Sequence, residues 1–127
     1  MTRFLLVAAG GALGAVARYG AGRILPMGGW PYATLTVNVV GGLLMGLLTG
    51  WLAFRGGASQ ESVRLFAAVG VLGGFTTFSA FSLETALMIE RRQLGLAAAY
   101  VGLSVVLSVA ALFIGLMIAR RAFGAAL

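Results

Sequence analysis

Four apolar runs separated by short polar links organise this chain: about Phe4 to Leu25, Tyr32 to Phe54, Ser62 to Ile89, and Leu94 to Ala119. A helix needs about 20 apolar residues to cross a ~30 Å hydrocarbon core, and each run reaches that length. The pattern predicts an all-α membrane protein with four transmembrane helices in a single domain over residues 1–127. The links carry turn and headgroup chemistry. Pro26, Gly28, Gly29 and Pro31 form the first. Arg55, Gly56, Gly57, Ser59, Gln60 and Glu61 form the second, and Glu90, Arg91, Arg92 and Gln93 the third.

The first run has a second reading. Arg3, the stretch Phe4 to Leu13 and the small residues Ala15, Val16 and Ala17 also fit a cleavable signal peptide. Apolar character resumes after Arg18, however, and Gly10, Gly11 and Gly14 suit close helix packing, so a retained span is expected. Small pairs four apart recur at Gly42 and Gly46, Gly46 and Gly50, and Gly70 and Gly74. Chance yields some such pairs in a chain with 20 glycines, and interhelical contact is expected for most of them.

Composition narrows the function. Hydrophobic residues are 61% of the chain and charged ones 9%, against roughly a quarter charged in soluble domains. The absence of cysteine and histidine removes disulfides, thiol chemistry and the commonest general base at neutral pH, and no nucleophile–base pair recommends an enzyme. Net charge is +6, and every basic residue is an arginine. These arginines stand singly or in pairs at the ends of apolar runs, as anchors to membrane lipid rather than a face for nucleic acid. Four spans put Arg3, Arg55, Arg64, Arg120 and Arg121 on one side and Arg23, Arg91 and Arg92 on the other. So feeble a bias sets no firm topology. Insertion both ways, with head-to-tail pairing, is open to this chain, and chance composition accounts for the balance almost as well.

Polar residues within the spans are the candidate chemistry, because each must bond to a neighbour, bond to its own helix or face water. Asn38 is alone mid-span, fit for an interhelical hydrogen bond or for a lumen. The run from Gly73 to Ser82, GGFTTFSAFS, interrupts helical order with paired glycines and threonines. It is either a kink satisfied by hydroxyls or an unwound segment whose free carbonyls can coordinate a cation. Phe78 and Phe81 share one face, with Ser79 and Ser82 beside them; such a pair packs, or presents positive ring edges to a small anion. Tyr100, Ser104 and Ser108 form a hydroxyl stripe, fit for backbone bonding or for an anion track. Arg18 and Glu84 are ionisable away from safe helix ends, near aqueous vestibules, with an ion pair or snorkelling as the default for each.

These residues resemble the Fluc fluoride channels, also called the CrcB family. The resemblance rests on Gly10-Gly11-Ala12-Leu13-Gly14-Ala15 with Arg18-Tyr19, on Thr34-Leu35-Thr36-Val37-Asn38 with Gly41, and above all on the run from Gly73 to Ser82 with Glu84. It covers nearly the whole chain. It implies an antiparallel, dual-topology homodimer in the bacterial inner membrane, with a third helix broken at its centre and two fluoride pathways along the subunit interface. By resemblance Asn38 is the pore amide, Phe78 and Phe81 contact fluoride, and Tyr100, Ser104 and Ser108 form the hydroxyl track. The carbonyls of Gly73 and Thr76 from both subunits hold a structural sodium ion that is not transported, and Arg18 draws anions into a vestibule. The resemblance assigns no role to Thr77, Ser79 or Glu84. In some members the track continues to a threonine one turn later, where this chain has Leu112.

Two other classes fit four short spans. A small proton-coupled multidrug exporter needs a deep carboxylate in its first helix, which has none; Glu84 follows the third-span interruption instead. A membrane scaffold, in which every polar residue only joins helices, is compatible with composition alone.

Overall fold

The computed structural model describes residues 1–25, 30–55 and 60–124. Pro26, Gly28 and Gly29 of the first link and Gly56, Gly57 and Ser59 of the second lie outside the described residues. Within those described the structure is helical and without strands, and four helices are long and apolar enough to cross a membrane.

Helix α1, Thr2–Ile24, stops where Leu25 turns to extended backbone (φ −77°, ψ 152°). That is the conformation a following proline imposes on its predecessor. Helix α2, Tyr32–Arg55, starts directly after Pro31, whose carbonyl accepts the Leu35 N–H at 3.2 Å. Near its end the Gln60 side chain donates to the Leu52 carbonyl at 3.0 Å, satisfying one of the acceptors that a helix terminus leaves open.

The third span is assembled from pieces. It opens as α3, Gln60–Val63, where exposed Glu61 and Arg64 pair at 2.9 Å. It widens to π-helical Arg64–Leu72, narrows to α4, Gly73–Phe75, and resumes as α5, Phe78–Glu90. Arg92 (φ 58°) then takes the left-handed conformation that lets Gln93 N–H reach the Met88 carbonyl at 2.9 Å and Arg92 N–H reach that of Ile89 at 3.0 Å. This is a Schellman turn, and it leads into α6, Leu94–Ala119, which continues as π-helical Arg120–Gly124.

The helices associate in two pairs, α1 along the π-helical segment and α4, and α2 along α6. Missing Cβ atoms make this possible: a Cβ on Gly70 would lie 2.9 Å from the Gly10 Cα, and one on Gly115 would lie 2.8 Å from the Leu47 N and 3.1 Å from the Gly46 carbonyl carbon. Gly42, Gly50 and Gly74 likewise abut a neighbouring helix, whereas the Cβ position of Gly11 is open. Backbone approach through small residues drives association where lipid is as apolar as the side chains. Large apolar side chains such as Leu13, Val16, Ile24, Val106 and Ile114 point outward, as hydrocarbon allows. A small core of Met88, Ala97 and Tyr100, flanked by Trp30, Leu35 and Phe81, ties α5 to α6.

Candidate functional site

Between α4 and α5 the backbone leaves helical geometry at two residues, Thr76 (φ −81°, ψ 160°) and Thr77 (φ −150°, ψ 119°). At bilayer depth every backbone group there needs a partner. Side chains supply several. Asn38 of α2 accepts from the Thr77 N–H at 2.8 Å and donates to the Thr77 carbonyl at 3.0 Å, which fixes the orientation of its amide. The Thr77 hydroxyl caps α5 by accepting from Ala80 N–H at 3.1 Å. Arg18 of α1 reaches across to the Gly74 carbonyl, Nε to O 3.1 Å. The Thr76 hydroxyl turns back to the Leu72 carbonyl at 3.0 Å.

Among the carbonyls that lose the donors an uninterrupted helix would give them are those of Gly73 and Thr76. The Gly73 carbonyl would receive from Thr77 N–H, which goes to Asn38; the Thr76 carbonyl would receive from Ala80 N–H, which goes to the Thr77 hydroxyl. Gly73 is exposed and Thr76 half-buried, so both lie toward the outside of the single chain.

Beside this segment lies an open groove of about 400 Å³, lined by Asn38, Thr77, Phe78, Phe81, Ser104 and Ser108, with Leu112 also on its wall. Phe78 and Phe81 stand with ring centroids 5.5 Å apart at 46°, and Phe78 is 77% exposed, which no apolar packing within the chain explains. Ser104 is buried, and its Oγ has no hydrogen-bond partner among the described residues. A buried hydroxyl left so costs ~1–3 kcal/mol. One N–H of the Asn38 amide is committed to Thr77, and its second remains a donor.

Tyr100 stands apart from these. It is fully buried, with Phe81 at 5.2 Å and Trp30 at 5.8 Å, and it does not line the groove. The stripe of Tyr100, Ser104 and Ser108 therefore divides, two serines on the groove and the tyrosine behind Phe81.

A second cavity of about 440 Å³ is lined by Arg18, Tyr19, Arg23, Thr34 and Thr77, among others. Thr77 is common to both cavities, so the interrupted segment forms the partition between them. Arg18 and Glu84 do not pair: Arg18 holds Gly74, and Glu84 accepts from the Thr34 hydroxyl. Ser79 is exposed, with its hydroxyl 3.3 Å from that of Thr77. Sequence reasoning missed Arg23 and the Thr34–Glu84 bond. Thr34 is four residues before Asn38 and hence on the same face of α2, which is the signal that would have found it.

Four apolar helices, polar groups gathered on one groove and an interrupted span define a small polytopic membrane protein built to move a solute. The chain belongs to the family described as CrcB-like protein, Camphor Resistance (CrcB), whose pattern matches residues 5–116. It is similar to a protein of Caulobacter sp. (strain K31), 65% identical across 97% of this chain and 98% of the relative. It is 62% identical to one of Caulobacter vibrioides (strain NA1000 / CB15N) and 63% identical to one of Phenylobacterium zucineum (strain HLK1), each across 97% of this chain and 99% of the relative. All three relatives bear the name fluoride-specific ion channel FluC.

Proposed function

We propose that this chain is a fluoride-selective passive channel of the bacterial inner membrane, removing cytoplasmic fluoride and so relieving its toxicity. The observation that carries the reading is that relatives at 62–65% identity over almost the whole chain are fluoride-specific channels by name. The groove supports it with donors fit for a small, strongly hydrated anion. Fluoride enters cells as neutral hydrofluoric acid and ionises inside. An inside-negative potential, worth about 2.3 kcal/mol per charge per 100 mV, then drives the anion outward without ATP or a coupled proton.

Along the groove, water leaving fluoride is replaced by the free N–H of Asn38, by the Ser104 and Ser108 hydroxyls and by the positive ring edges of Phe78 and Phe81. The guanidinium of Arg18, with donors left over after Gly74, raises anion concentration in the second cavity. Leu112 ends the hydroxyl line with an apolar wall. Nothing about the relatives favours the exporter or the scaffold.

The working unit in this reading is an antiparallel homodimer. The groove sets Asn38, Thr77, Ser104 and Ser108 among apolar walls, polar groups that are costly to leave against lipid, and the near balance of arginines between the two ends is compatible with both insertions. A second copy laid head to tail covers Phe78 and the groove and creates two pathways. The third span then acts as a broken helix, and a sodium ion fits the carbonyls that its interruption frees. Gly73 and Thr76 offer oxygens without helical donors, and such oxygens suit a hard cation. Gly73 and Thr76 of each subunit would hold it, and when bound it supplies a fixed positive charge at the dimer centre.

The test is efflux from liposomes loaded with fluoride, followed with a fluoride electrode after a potassium ionophore is added, with chloride-loaded vesicles beside them. Rapid fluoride release with negligible chloride release is the expected result. Silence for both ions, from protein shown to be dimeric, would overturn the reading.

A further inference from the structure

The interrupted segment is held open by particular bonds, and these converge on one residue with no assigned role. The Thr77 peptide is clamped on both sides by the Asn38 amide, Oδ1 taking its N–H at 2.8 Å and Nδ2 donating to its carbonyl at 3.0 Å. The Thr77 hydroxyl takes the Ala80 N–H at 3.1 Å. Counting four residues back along a helix, the first diverted donor belongs to Gly73 and the second to Thr76. The two carbonyls that fit a cation are thus the two whose donors are drawn off by bonds that run through Thr77.

We propose that Thr77 is a positioning residue: its hydroxyl cap on Ala80 and its peptide's clasp by Asn38 form a latch that keeps the Gly73 and Thr76 carbonyls free for sodium. The cation reading proposed above is the basis for the second half of this statement; the latch itself stands on the hydrogen bonds. The latch has a chemical reason for being a hydroxyl residue. An N-cap side chain must accept one N–H of the new helix, and only short polar side chains do so from an extended backbone. Valine at this position keeps shape and β-branching yet loses the acceptor. Serine keeps the acceptor and loses one methyl group. The threonine before it does different work, since the Thr76 hydroxyl bonds back to Leu72 and stays with the preceding helix. The segment therefore opens between two threonines whose hydroxyls turn opposite ways, one closing α4 and the other starting α5.

The variants Thr77→Val, Thr77→Ser and Thr76→Val, purified as dimers, separate the latch from general stability. Two readouts are taken on each. The first is backbone hydrogen exchange at Ala80 and Thr77 in lipid nanodiscs. The second is the sodium concentration needed to raise the unfolding midpoint, with N-methylglucamine replacing sodium.

Loss of a cap should speed Ala80 exchange in Thr77→Val by roughly fivefold, with a similar loss of sodium affinity. Thr77→Ser should stay within about twofold of the parent in both. Thr76→Val should leave Ala80 exchange unchanged. Ala80 exchange that is the same in Thr77→Val as in the parent would overturn the latch. So would a loss that serine fails to rescue. If the parent shows no sodium response while Ala80 exchange behaves as expected, the sodium reading fails and the latch survives. If exchange responds and sodium affinity is equal in parent and Thr77→Val, the latch exists without the sodium function, and the proposal is overturned in that part.

Discussion

Gly42 sits where α2 meets α6 beside the groove, and a single methyl group there tests whether the spacing of these helices sets the pathway. A Cβ at Gly42 would lie 2.7 Å from the Ser108 carbonyl oxygen. Ordinary contact begins near 3.4 Å, so the Gly42→Ala side chain is short of room by about 0.7 Å. The obstacle is backbone, which cannot rotate away as a side-chain tip could. The helices must therefore separate, and a gap of 0.5–1 Å forfeits a quarter to a half of the dispersion between the atoms involved. Overpacking of this kind costs roughly 1–3 kcal/mol.

Alanine also gains about 1 kcal/mol of helix propensity over glycine, so the fair comparison is with Gly20→Ala, where a Cβ meets nothing within 4 Å. The propensity gain is common to both variants, and their difference isolates the steric effect. Reversible unfolding by SDS in mixed micelles should place Gly42→Ala below Gly20→Ala by about 1–3 kcal/mol. Fluoride efflux should fall in Gly42→Ala and stay near the parent in Gly20→Ala. Equal stability of the two, or unimpaired efflux from Gly42→Ala once it is shown to be destabilised, would refute the reasoning.

Other substitutions probe separate parts. Phe81→Ile keeps an apolar side chain but removes the ring facing Phe78 at 5.5 Å, and fluoride efflux should drop at least about tenfold, some 1.4 kcal/mol of barrier, with the dimer intact by size-exclusion chromatography. Ser104→Ala deletes a buried hydroxyl that has no partner, so unfolding stability should hold or rise by up to about 1 kcal/mol while efflux falls; a loss above about 1 kcal/mol would mean that the hydroxyl is structural. Arg92→Gly removes a side chain from a left-handed position and should raise stability by about 1 kcal/mol, read from the thermal unfolding midpoint, whereas Arg92→Val should lower it.

Four long apolar helices were legible because length and hydropathy nearly determine a spanning helix, and the small-residue pairs at Gly42, Gly46, Gly50, Gly70 and Gly74 marked helix contacts because only glycine admits such approach. The groove residues Asn38, Phe78, Phe81, Ser104 and Ser108 were legible as polar or paired residues out of place in an apolar span. What remained hidden was pairing. No spacing rule says that Asn38 clasps Thr77, that Arg18 reaches Gly74 rather than Glu84, or that Tyr100 turns into the core behind Phe81. Each depends on which helices lie side by side, and an apolar surface all round carries no stripe to reveal that. The π-helical stretch Arg64–Leu72 was hidden for a related reason, since its residues read equally well as an α-helix.

The arrangement of partners also explains why so short a chain carries so many polar groups at depth. Two helices lend a side chain to the backbone at the interruption, Arg18 from α1 and Asn38 from α2, and Thr77 caps the head of its own helix α5. The Arg18 and Asn38 bonds each join two helices and form only when those helices are docked, whereas the Thr77 cap is local to α5. Polar satisfaction and packing are thereby made one event, and a wrongly paired helix would leave several carbonyls bare in hydrocarbon. In the proposed dimer the same logic extends to the groove. Its remaining donors, the second N–H of Asn38 and the Ser104 hydroxyl, which has no partner among the described residues, serve fluoride only once a second copy keeps lipid out. A lone chain in the bilayer would then be penalised for the very groups that make it selective, which ties assembly to function.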